Sequence, residues 1–514
     1  MNVQVIVGPP GTGKTETLVN QLNAVVSSGI DPKRVAMVAF TRAAKAELLG
    51  RIGSRLGIAE DDLPWLKTIH GMAFKLLGGA TGNVMDAREW RAFAAECGYN
   101  LTGAGCDDGA GLPRRTGDDD KRAVYEWGRA CGLTVDEMLK KTPIVTVEPS
   151  GLRRYVEAYL RFKAGNGIVD FTDMIEEAIA SGKRPKVDVA FVDEAQDLSP
   201  LQIRAVETWF GGCADLYVAG DDDQTIFQFQ GAAPGWLQQL GVTHGATILQ
   251  TSNRVPRAVH AVAQRIITQN KNRLPKSYQP RNAEGSVERV GLDVAIRGLD
   301  PSVETFVLAR NRFYLRAAAK MLDELGMPYL VEGSGGSGGM YDGNNRMVVA
   351  VRTALNLARG GFVEAQDLLK VLDYVPVAIA APLRAALETK SETIFTIDVL
   401  QGEFIDRLRA GGPVEALSLL PRVTLEKMVS ILQRHHGLTD AKIRLTTIHG
   451  AKGRQAEVVV LIPDMSKATY AEYLDVRHGG NEAEARVAYV GVTRAREKLI
   501  LTLPTTRKYF VYPR

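Results

Sequence analysis

The amino-acid sequence predicts an α/β protein built on parallel sheets. Three apolar runs are typical of buried strands, namely Val3–Val7, Val187–Val192 and Leu216–Ala219. Each run ends in a segment rich in glycine or acidic residues, and stretches with apolar residues at helical spacing lie between the runs. Strands that alternate with helices in this way predict sheets whose strands run parallel.

The first run ends in the phosphate-loop pattern Gly8–Thr15, and Leu18, Leu22 and Val25 continue it at helical spacing as far as Gly29. Such a loop folds its backbone N–H groups around phosphate oxygens at a helix N-terminus. The lysine adds a positive charge, and the last threonine offers a hydroxyl to Mg²⁺. The pattern predicts a site for a nucleoside triphosphate, with the candidate binding residues Gly8, Pro9, Pro10, Gly11, Thr12, Gly13, Lys14 and Thr15.

The second apolar run ends in the acidic segment Asp193–Asp197. At the end of a strand beside the phosphate loop, Asp193 is placed to hold Mg²⁺ and Glu194 to orient or deprotonate the attacking water. Taken alone, acidic residues after a strand are more often a solvated turn. Their pairing with the phosphate loop favours the catalytic interpretation.

The third run continues into Gly220–Gly231, which holds Gln224, Phe227 and Phe229. Gln224 is a candidate sensor of the γ phosphate or of the hydrolytic water. The two phenylalanines are candidates for stacking on unstacked bases, at about 1 to 3 kcal/mol for each base. Alternatively, this pair packs one face of a strand into the core.

Composition describes an ordinary globular protein, with 45% hydrophobic and 24% charged residues and a net charge of +4 that permits a polyanionic partner. No stretch reaches the roughly 18 apolar residues of a membrane span, and the apolar start of the sequence, a short strand closed by Gly8-Pro9-Pro10, is not expected to be a signal peptide. A cytoplasmic location is therefore expected, in the host if the chain is encoded by a phage. The cysteines lie too far apart for a zinc or disulfide framework; they are Cys97, Cys106, Cys131 and Cys213.

Taken in order, these elements and six further segments resemble the UvrD/Rep-like group of superfamily 1 helicases. The further segments are Val38–Leu48 (motif Ia), Thr68–Ala73 (motif Ib), Asp170–Met174, Ser252–Arg254 (motif IV), Leu445–Gly453 (motif V) and Ala488–Leu499 (motif VI). An ordered set of this kind is far more specific than any single motif.

The resemblance implies an α/β fold of two RecA-like P-loop lobes with parallel sheets, each lobe carrying a mainly helical accessory insertion. The implied ranges are 1–75 and 166–254 for lobe 1, 76–165 for the first insertion, 255–339 and 441–514 for lobe 2, and 340–440 for the second insertion. The second insertion is shorter than is usual in the group. Two glycine-rich stretches are predicted to be irregular, one at 103–120 and the other at 333–339.

The resemblance also implies roles for individual side chains, with ATP as the nucleotide and Mg²⁺ as the metal ion. The catalytic candidates are Lys14, Asp193, Glu194, Gln224, Arg254 and Arg494, of which the two arginines would meet the γ phosphate when the cleft closes. Thr15 and Asp193 would hold the metal, and Arg51 and Gln455 are further nucleotide-site candidates. The candidate DNA contacts are Phe40, Thr41, Arg42, His70, Phe227, Phe229, Thr446 and His449, although His70 and His449 could equally be structural.

Four departures from the group's pattern concern the base and the sugar. Only seven residues precede Gly8, where the group carries a glutamine that reads adenine. Asn253 stands where an aromatic is usual, Gln455 where a glutamate is common, and 229–231 reads Phe-Gln-Gly instead of Trp-Arg-Gly. We expect looser recognition of the base and the sugar, with the phosphate chemistry intact.

The sequence leaves three functions open. The first is an ATP-dependent 3′ to 5′ DNA helicase acting on single strands and single/double-strand junctions in repair, replication or recombination, with a possible protein loading partner. The second is a single-strand translocase that displaces proteins with little unwinding, which the short second insertion favours. The third is a nucleic-acid-binding protein that uses ATP only as a switch, and the intact set of hydrolytic residues argues against it.

Overall fold

The computed structural model describes residues 1–79, 83–102, 116–142, 147–332, 345–389, 394–434 and 441–513. The chain folds into two compact units. Unit 1 comprises Met1–Ser286, Met465–Glu497 and Lys508–Arg514, and unit 2 comprises Val287–Asp464 and Lys498–Arg507. The four domains expected from the sequence divide the chain differently, with lobe 2 starting at 255, and they stay a prediction.

The elements up to Ser286 begin with the glycine-rich loop between β1 and α1. The strands are β1 (Asn2–Val7), β2 (Val35–Val38), β3 (Trp65–Lys67), β4 (Asn83–Val84), β5 (Ile168–Val169), β6 (Val189–Val192), β7 (Asp215–Gly220), β8 (Ala246–Ile248), β9 (Thr251–Pro256) and β10 (Gln279–Arg281). The helices are α1 (Lys14–Ser27), α2 (Arg42–Leu56), α3 (Ile69–Leu76), α4 (Ala87–Cys97), α5 (Gly117–Ala130), α6 (Val135–Lys141), α7 (Pro149–Asn166), α8 (Phe171–Ala180), α9 (Pro200–Phe210), α10 (Gly235–His244) and α11 (Arg257–Ile267).

The remaining elements follow in the same order. The strands are β11 (Ser286–Val290), β12 (Thr305–Ala309), β13 (Tyr329–Val331), β14 (Val363–Glu364), β15 (Ile394–Phe395), β16 (Ile443–Thr447), β17 (Ala456–Ile462) and β18 (Ala495–Thr502). The helices are α12 (Leu292–Arg297), α13 (Leu315–Leu325), α14 (Arg346–Ala358), α15 (Ala365–Leu372), α16 (Val377–Thr389), α17 (Glu403–Ala416), α18 (Arg422–Arg434), α19 (Lys467–Leu474) and α20 (Gly480–Val492). In the described ranges no helix is both long and apolar enough to span a membrane.

The main sheet of unit 1 has six parallel strands in the order β3-β2-β6-β7-β1-β8. Successive strand residues serve opposite faces, so Val5 and Val7 pack in one core and Ile6 in the other. A sheet buried on both faces explains why its strands are apolar throughout. Because the strands run parallel, the loops that follow β1, β6 and β7 meet at one edge of the sheet.

The second sheet lies in unit 2, except for Ser286 of β11 and residues 495–497 of β18, which are counted in unit 1. Its order is β11-β18-β17-β12-β16-β13, and β12 pairs in parallel with both β16 and β17. Helices α14 to α18 pack into the same hydrophobic core as this sheet, so Phe404 and Met428 share a core with Val307 and Leu445. The fold class predicted from the sequence, two RecA-like lobes with parallel sheets, is confirmed.

The structure also settles two local predictions. Residues 117–120 were expected in an irregular loop, but they begin α5, because Thr116 caps the helix and Asp119 completes a capping box. The rest of that stretch (103–115) and the glycine-rich stretch 333–339 lie outside the described residues. Phe227 precedes a single turn of 3₁₀-helix at Gln228–Gln230 and Phe229 lies within it, so the alternative that they line one face of a strand is wrong.

Candidate active site

The glycine-rich loop leaves β1 and is tied to the neighbouring strand end, since the N–H of Gly8 donates to the carbonyl of Gly220 at 2.9 Å. Lys14 folds back over the loop, and its Nζ donates to the Gly8 carbonyl at 2.9 Å. A Cβ on Gly8 would lie 2.0 Å from Lys14 Cγ, so only glycine leaves room for this lysine. Inside the loop, Thr12 Oγ1 donates to the Pro9 carbonyl at 2.8 Å.

The other side of the loop is held by β9, which carries Arg254. Ser252 Oγ donates to the Pro10 carbonyl at 2.8 Å, and the N–H of Asn253 donates to the Gly11 carbonyl at 2.8 Å. Gly11 has φ +75°, and a Cβ there would lie 2.4 Å from Arg254 Cβ. The loop and Arg254 are thus fixed to each other through the backbone.

A Gly11→Ala substitution tests this close approach. It adds a left-handed backbone cost of about 1–2 kcal/mol and a clash of about 1–3 kcal/mol that pushes Arg254 away from the loop. We expect affinity for a fluorescent ATP analogue to fall by about tenfold or more, since 1.4 kcal/mol is a factor of ten. Gly29→Ala is the matched control, because Gly29 has φ +96° with no atom within 4 Å of an added Cβ. Equal affinities of the two variants would contradict the prediction.

The acidic residues after β6 face the loop. Thr15 Oγ1 lies 3.5 Å from Asp193 Oδ2. Burial, followed by the adjacent Glu194 carboxylate, raises the pKa of Asp193, while Lys14 opposes the shift. A buried carboxylate in this position favours a cation. In the described ranges no group of three or more His, Cys, Asp or Glu side chains could hold a metal ion, but one carboxylate and one hydroxyl suit Mg²⁺, which keeps waters and shares phosphate ligands.

Glu194 has an unusual backbone. Its φ of +51° is the one positive value among the described residues other than glycine. Its N–H donates to Asp193 Oδ1 at 2.8 Å, and Gln196 donates to its carboxylate. Strained backbone of this kind costs about 1–3 kcal/mol and is concentrated at functional sites, which fits a carboxylate aimed by its surroundings.

Gln224 and Arg494 form a connected pair at the end of β7. Gln224 Nε2 donates to Asp221 Oδ2 at 2.7 Å, and Arg494 Nη2 donates to Gln224 Oε1 at 3.1 Å. Arg494 Nε also donates to the Val490 carbonyl at 2.9 Å. The side chain is 1% exposed, so its guanidinium is positioned before any ligand arrives.

The two candidate arginines create a positive site. Burial lowers the pKa of Arg494, and the charge of Arg254 lowers it further. Burial likewise lowers the pKa of Arg254, and Glu194 opposes the shift in both. A buried guanidinium and a partly buried one whose charges disfavour each other are stabilised by an added anion, and guanidinium groups bind phosphate well.

A buried cluster of ion pairs, which was not predicted from the sequence, supports Gln224 through Asp221. Lys276 Nζ contacts the carboxylates of Asp221 at 3.3 Å, Asp222, and Asp223 at 2.8 Å. Burial lowers the pKa of Lys276, but these carboxylates outweigh it and raise the pKa to about 12. Arg273 also pairs with Asp223. The signal was present, because three consecutive acids after a buried strand need cationic partners.

Three of the candidate DNA contacts in unit 1, Phe40, Phe227 and Phe229, form an aromatic run. Phe40 stacks on Phe227 with ring centroids 5.7 Å apart, and Phe227 lies 6.1 Å from Phe229. His70 meets Phe171 edge to face at 5.4 Å, and burial lowers the pKa of His70, which favours its neutral form.

The other sequence candidates are more scattered. Thr41 and Arg42 are exposed at the start of α2, where the Thr41 hydroxyl caps the helix by accepting from the Ala44 N–H. Arg51 is exposed on α2 and pairs with Glu47 at 2.6 Å. Three candidates lie in unit 2, and of these Thr446 and His449 are buried; the third is Gln455. The six catalytic candidates all lie in unit 1.

Comparison with known proteins finds similarity to helicases along most of the chain. The family model described as the UvrD/REP helicase N-terminal domain matches residues 2–244, and the model of the UvrD-like helicase C-terminal domain matches residues 410–506. The chain is 26% identical to the ATP-dependent DNA helicase UvrD2 of Mycobacterium tuberculosis, over 97% of this chain and 76% of that protein. The chain is 23% identical to DNA helicase II of Escherichia coli, over 99% of this chain and 83% of that protein. It is 21% identical to the ATP-dependent DNA helicase Rep of the same organism, over 99% of this chain and 90% of that protein.

Proposed function

This chain belongs to the UvrD/Rep helicase family and is an ATP-dependent DNA helicase, and on that premise we propose that it moves 3′ to 5′ along single-stranded DNA and unwinds duplex as it moves. One observation supports ATP hydrolysis as the source of this movement, namely that six side chains suited to hydrolysis belong to unit 1, whereas the polarity rests on the family resemblance. They are Lys14, Asp193, Glu194, Gln224, Arg254 and Arg494. A protein that used ATP only as a switch would not need the hydrolytic groups among them.

In the proposed reaction, Lys14 and the loop N–H groups bind the phosphates of ATP. Thr15 and Asp193 would hold Mg²⁺, which would neutralise charge on the phosphate oxygens. Glu194, aimed by its backbone and by Gln196, accepts a proton from the attacking water. Each of these groups already lies at the same edge of the sheet, so little reorganisation is needed.

The two arginines act on the γ phosphate as it is transferred to water. Arg254 and Arg494 stabilise charge that develops during phosphoryl transfer, and burial strengthens their effect because water does not screen them. Gln224, held between Asp221 and Arg494, contacts the γ phosphate or the water. These roles explain why two cations share a buried site that disfavours both.

A short stretch of chain connects this chemistry to DNA. Gln224 ends a 3₁₀ turn, and Phe227, three positions later, stacks on Phe40. A shift of Gln224 between nucleotide states therefore moves the aromatic run. Stacking and phosphate contacts suit a motor that passes every sequence, because neither depends on base identity.

Strand separation on tailed duplexes tests the proposal. Matched duplexes carry either a 3′ or a 5′ single-stranded tail, and Lys14→Ala serves as the inactive control. We expect ATP-dependent unwinding only from the 3′ tail, and none with Lys14→Ala. Unwinding from the 5′ tail alone would contradict the polarity, which is supported by the family resemblance.

A second candidate, a translocase that displaces proteins with little unwinding, is favoured by one feature of unit 2. Helices α14 to α18 share a hydrophobic core with the sheet of that unit. Helices that share a core with the sheet in this way are poorly suited to move independently against duplex DNA. DNA-stimulated ATP hydrolysis without unwinding from either tail would support this candidate. Repair, replication or recombination, with a protein loading partner, remains the proposed setting.

A further inference from the structure

Unit 2 contains a cavity of about 410 Å³ that no step of the proposed reaction uses. Its walls come from α14, from the segment that holds β14 and the start of α15, and from α18. The volume lies within the range of small-ligand sites, about 300–1,000 Å³. The cavity therefore admits a few side chains of another molecule and is too small for a folded domain.

One wall of the cavity is positively charged. Arg352, Asn356 and Arg359 line it at positions i, i+4 and i+7, so they lie along one side of α14. Within the described ranges, neither guanidinium has a hydrogen-bond or ion-pair partner. Because arginine stays protonated in proteins, two uncompensated positive charges border the cavity.

The floor of the cavity is apolar. Leu355, Val363 and Leu432 line it and are buried. Phe362 also lines it, but 75% of this residue is exposed. An apolar side chain that entered the cavity would cover the phenylalanine ring and remove apolar surface from water, which favours binding.

The exposure of Phe362 is fixed by the turn that precedes it. Gly360 has φ +78°, and a Cβ on Gly361 would lie 2.1 Å from Asn356 Oδ1. Asn356 Nδ2 donates to the Phe362 carbonyl at 2.7 Å, and the Gly361 N–H donates to the Asn356 carbonyl at 2.9 Å. The turn is thus closed tightly against the end of α14, and it holds the backbone of Phe362 in place.

The opposite wall carries carboxylates, which distinguishes a peptide from a nucleic acid. Asp367 pairs with Lys370 at 2.6 Å, whereas Glu364 is exposed and has no partner among the described residues. A DNA backbone is negatively charged at every phosphate, so it would face Glu364 unfavourably. A peptide offers carboxylates to the arginines and backbone N–H groups to Glu364. The mixture of charges therefore favours a peptide.

We propose that this cavity binds an extended segment of a partner protein in which an apolar side chain is flanked by acidic residues. The apolar side chain packs on Phe362 and the floor, and the flanking carboxylates pair with Arg352 and Arg359. That such a partner loads the chain onto DNA rests on the proposed function. The binding itself requires neither ATP nor DNA.

Peptide selection tests the proposal. A library of short random peptides displayed on phage is first depleted on a variant that carries both Arg352→Gln and Arg359→Gln, and it is then selected on the immobilised wild-type full chain. We expect enrichment of peptides in which an apolar residue stands beside two or more acidic residues. The consensus peptide, labelled with fluorescein, then reports affinity through its fluorescence anisotropy.

Single substitutions locate the binding site. Arg352→Gln and Arg359→Gln are each expected to weaken the consensus peptide about tenfold or more, as for loss of a hydrogen bond between charged groups. Phe362→Ala is expected to weaken it about fivefold or more, as for an aromatic anchor. Arg297→Gln is the matched control, because Arg297 is exposed on α12 and has no partner in the part of the chain that the structure describes.

Melting temperatures separate binding from folding. Neither arginine of the cavity makes a contact that its loss would break, and Phe362 is exposed, so all four variants should melt as the wild type does. Weaker peptide binding at an unchanged melting temperature supports the proposal.

Three outcomes overturn it. The first is a selection that enriches no peptide, and the second is a consensus peptide that binds the double variant as tightly as the wild type. The third is weaker binding of duplex DNA by the double variant with peptide affinity unchanged, which would make the arginines a DNA contact. Wild-type protein that binds the peptide but unwinds neither tailed duplex would overturn the proposed function and leave the peptide site standing.

Discussion

Replacing Arg494 with alanine is expected to lower kcat for DNA-stimulated ATP hydrolysis about 10³-fold or more, while nucleotide affinity changes by less than about tenfold. The guanidinium is held by Gln224 and by the Val490 carbonyl, so it stabilises charge in the transition state without reorganising. Single-turnover hydrolysis and binding of a fluorescent ATP analogue measure the two quantities separately.

Stability provides the control for this variant. Alanine removes the hydrogen bonds of Arg494, but it also removes a buried cation that Arg254 disfavours. We therefore expect the melting temperature of the nucleotide-free protein to change little. Arg204→Ala is a matched control, because Arg204 is exposed on α9. Loss of nucleotide binding in parallel with kcat would show that Arg494 acts on the ground state and would contradict the prediction.

Lys276→Met is expected to have the largest effect on stability. Its ammonium contacts three buried carboxylates, and methionine keeps most of the volume while removing that charge, so that Arg273 is left paired with Asp223 alone. Breaking a buried ion pair by removing one partner costs about 3–5 kcal/mol. Because Asp221 also holds Gln224, we expect kcat to fall as well. Denaturant unfolding with hydrolysis assays measures both effects.

The same substitution at an exposed site is the comparison. Lys271→Met removes a lysine five positions earlier that is exposed, and it should change the free energy of unfolding by about 0.5 kcal/mol or less. If the two variants unfolded at the same denaturant concentration, the cluster around Lys276 would not be a source of stability. A protein stabilised by Lys276→Met would point to the same conclusion.

The sequence predicted the nucleotide-site candidates after β1, β6 and β7 because their positions follow from local pattern. The end of an apolar pattern marks the end of a strand, and parallel strands bring their carboxyl ends to one edge of the sheet. Arg254 and Arg494 were named through the family resemblance. Their contacts could not be predicted, since the Ser252–Pro10 bond spans 242 residues and the Arg494–Gln224 bond spans 270.

Other features escaped sequence reasoning for physical reasons. A lysine is usually a solvated surface residue. Only the folded chain shows that the side chain of Lys276 is buried among carboxylates. The start of α5 lay in a glycine-rich and acidic stretch, where the capping by Thr116 outweighed low helix propensity. A cavity of about 370 Å³ lined by Trp90, Tyr155 and Phe171 depends on how helices pack, which periodicity does not encode.

The position of Arg494 has a consequence for synthesis. Unit 1 takes its last helix from residues 480–492, although its sheet is complete by residue 248. A nascent chain can therefore form the phosphate loop and its surrounding strands while the ribosome is still adding unit 2. On the proposed role of Arg494, such a chain lacks the means to hydrolyse ATP efficiently. Efficient ATP hydrolysis thus begins only after the ribosome has added Arg494 to the chain.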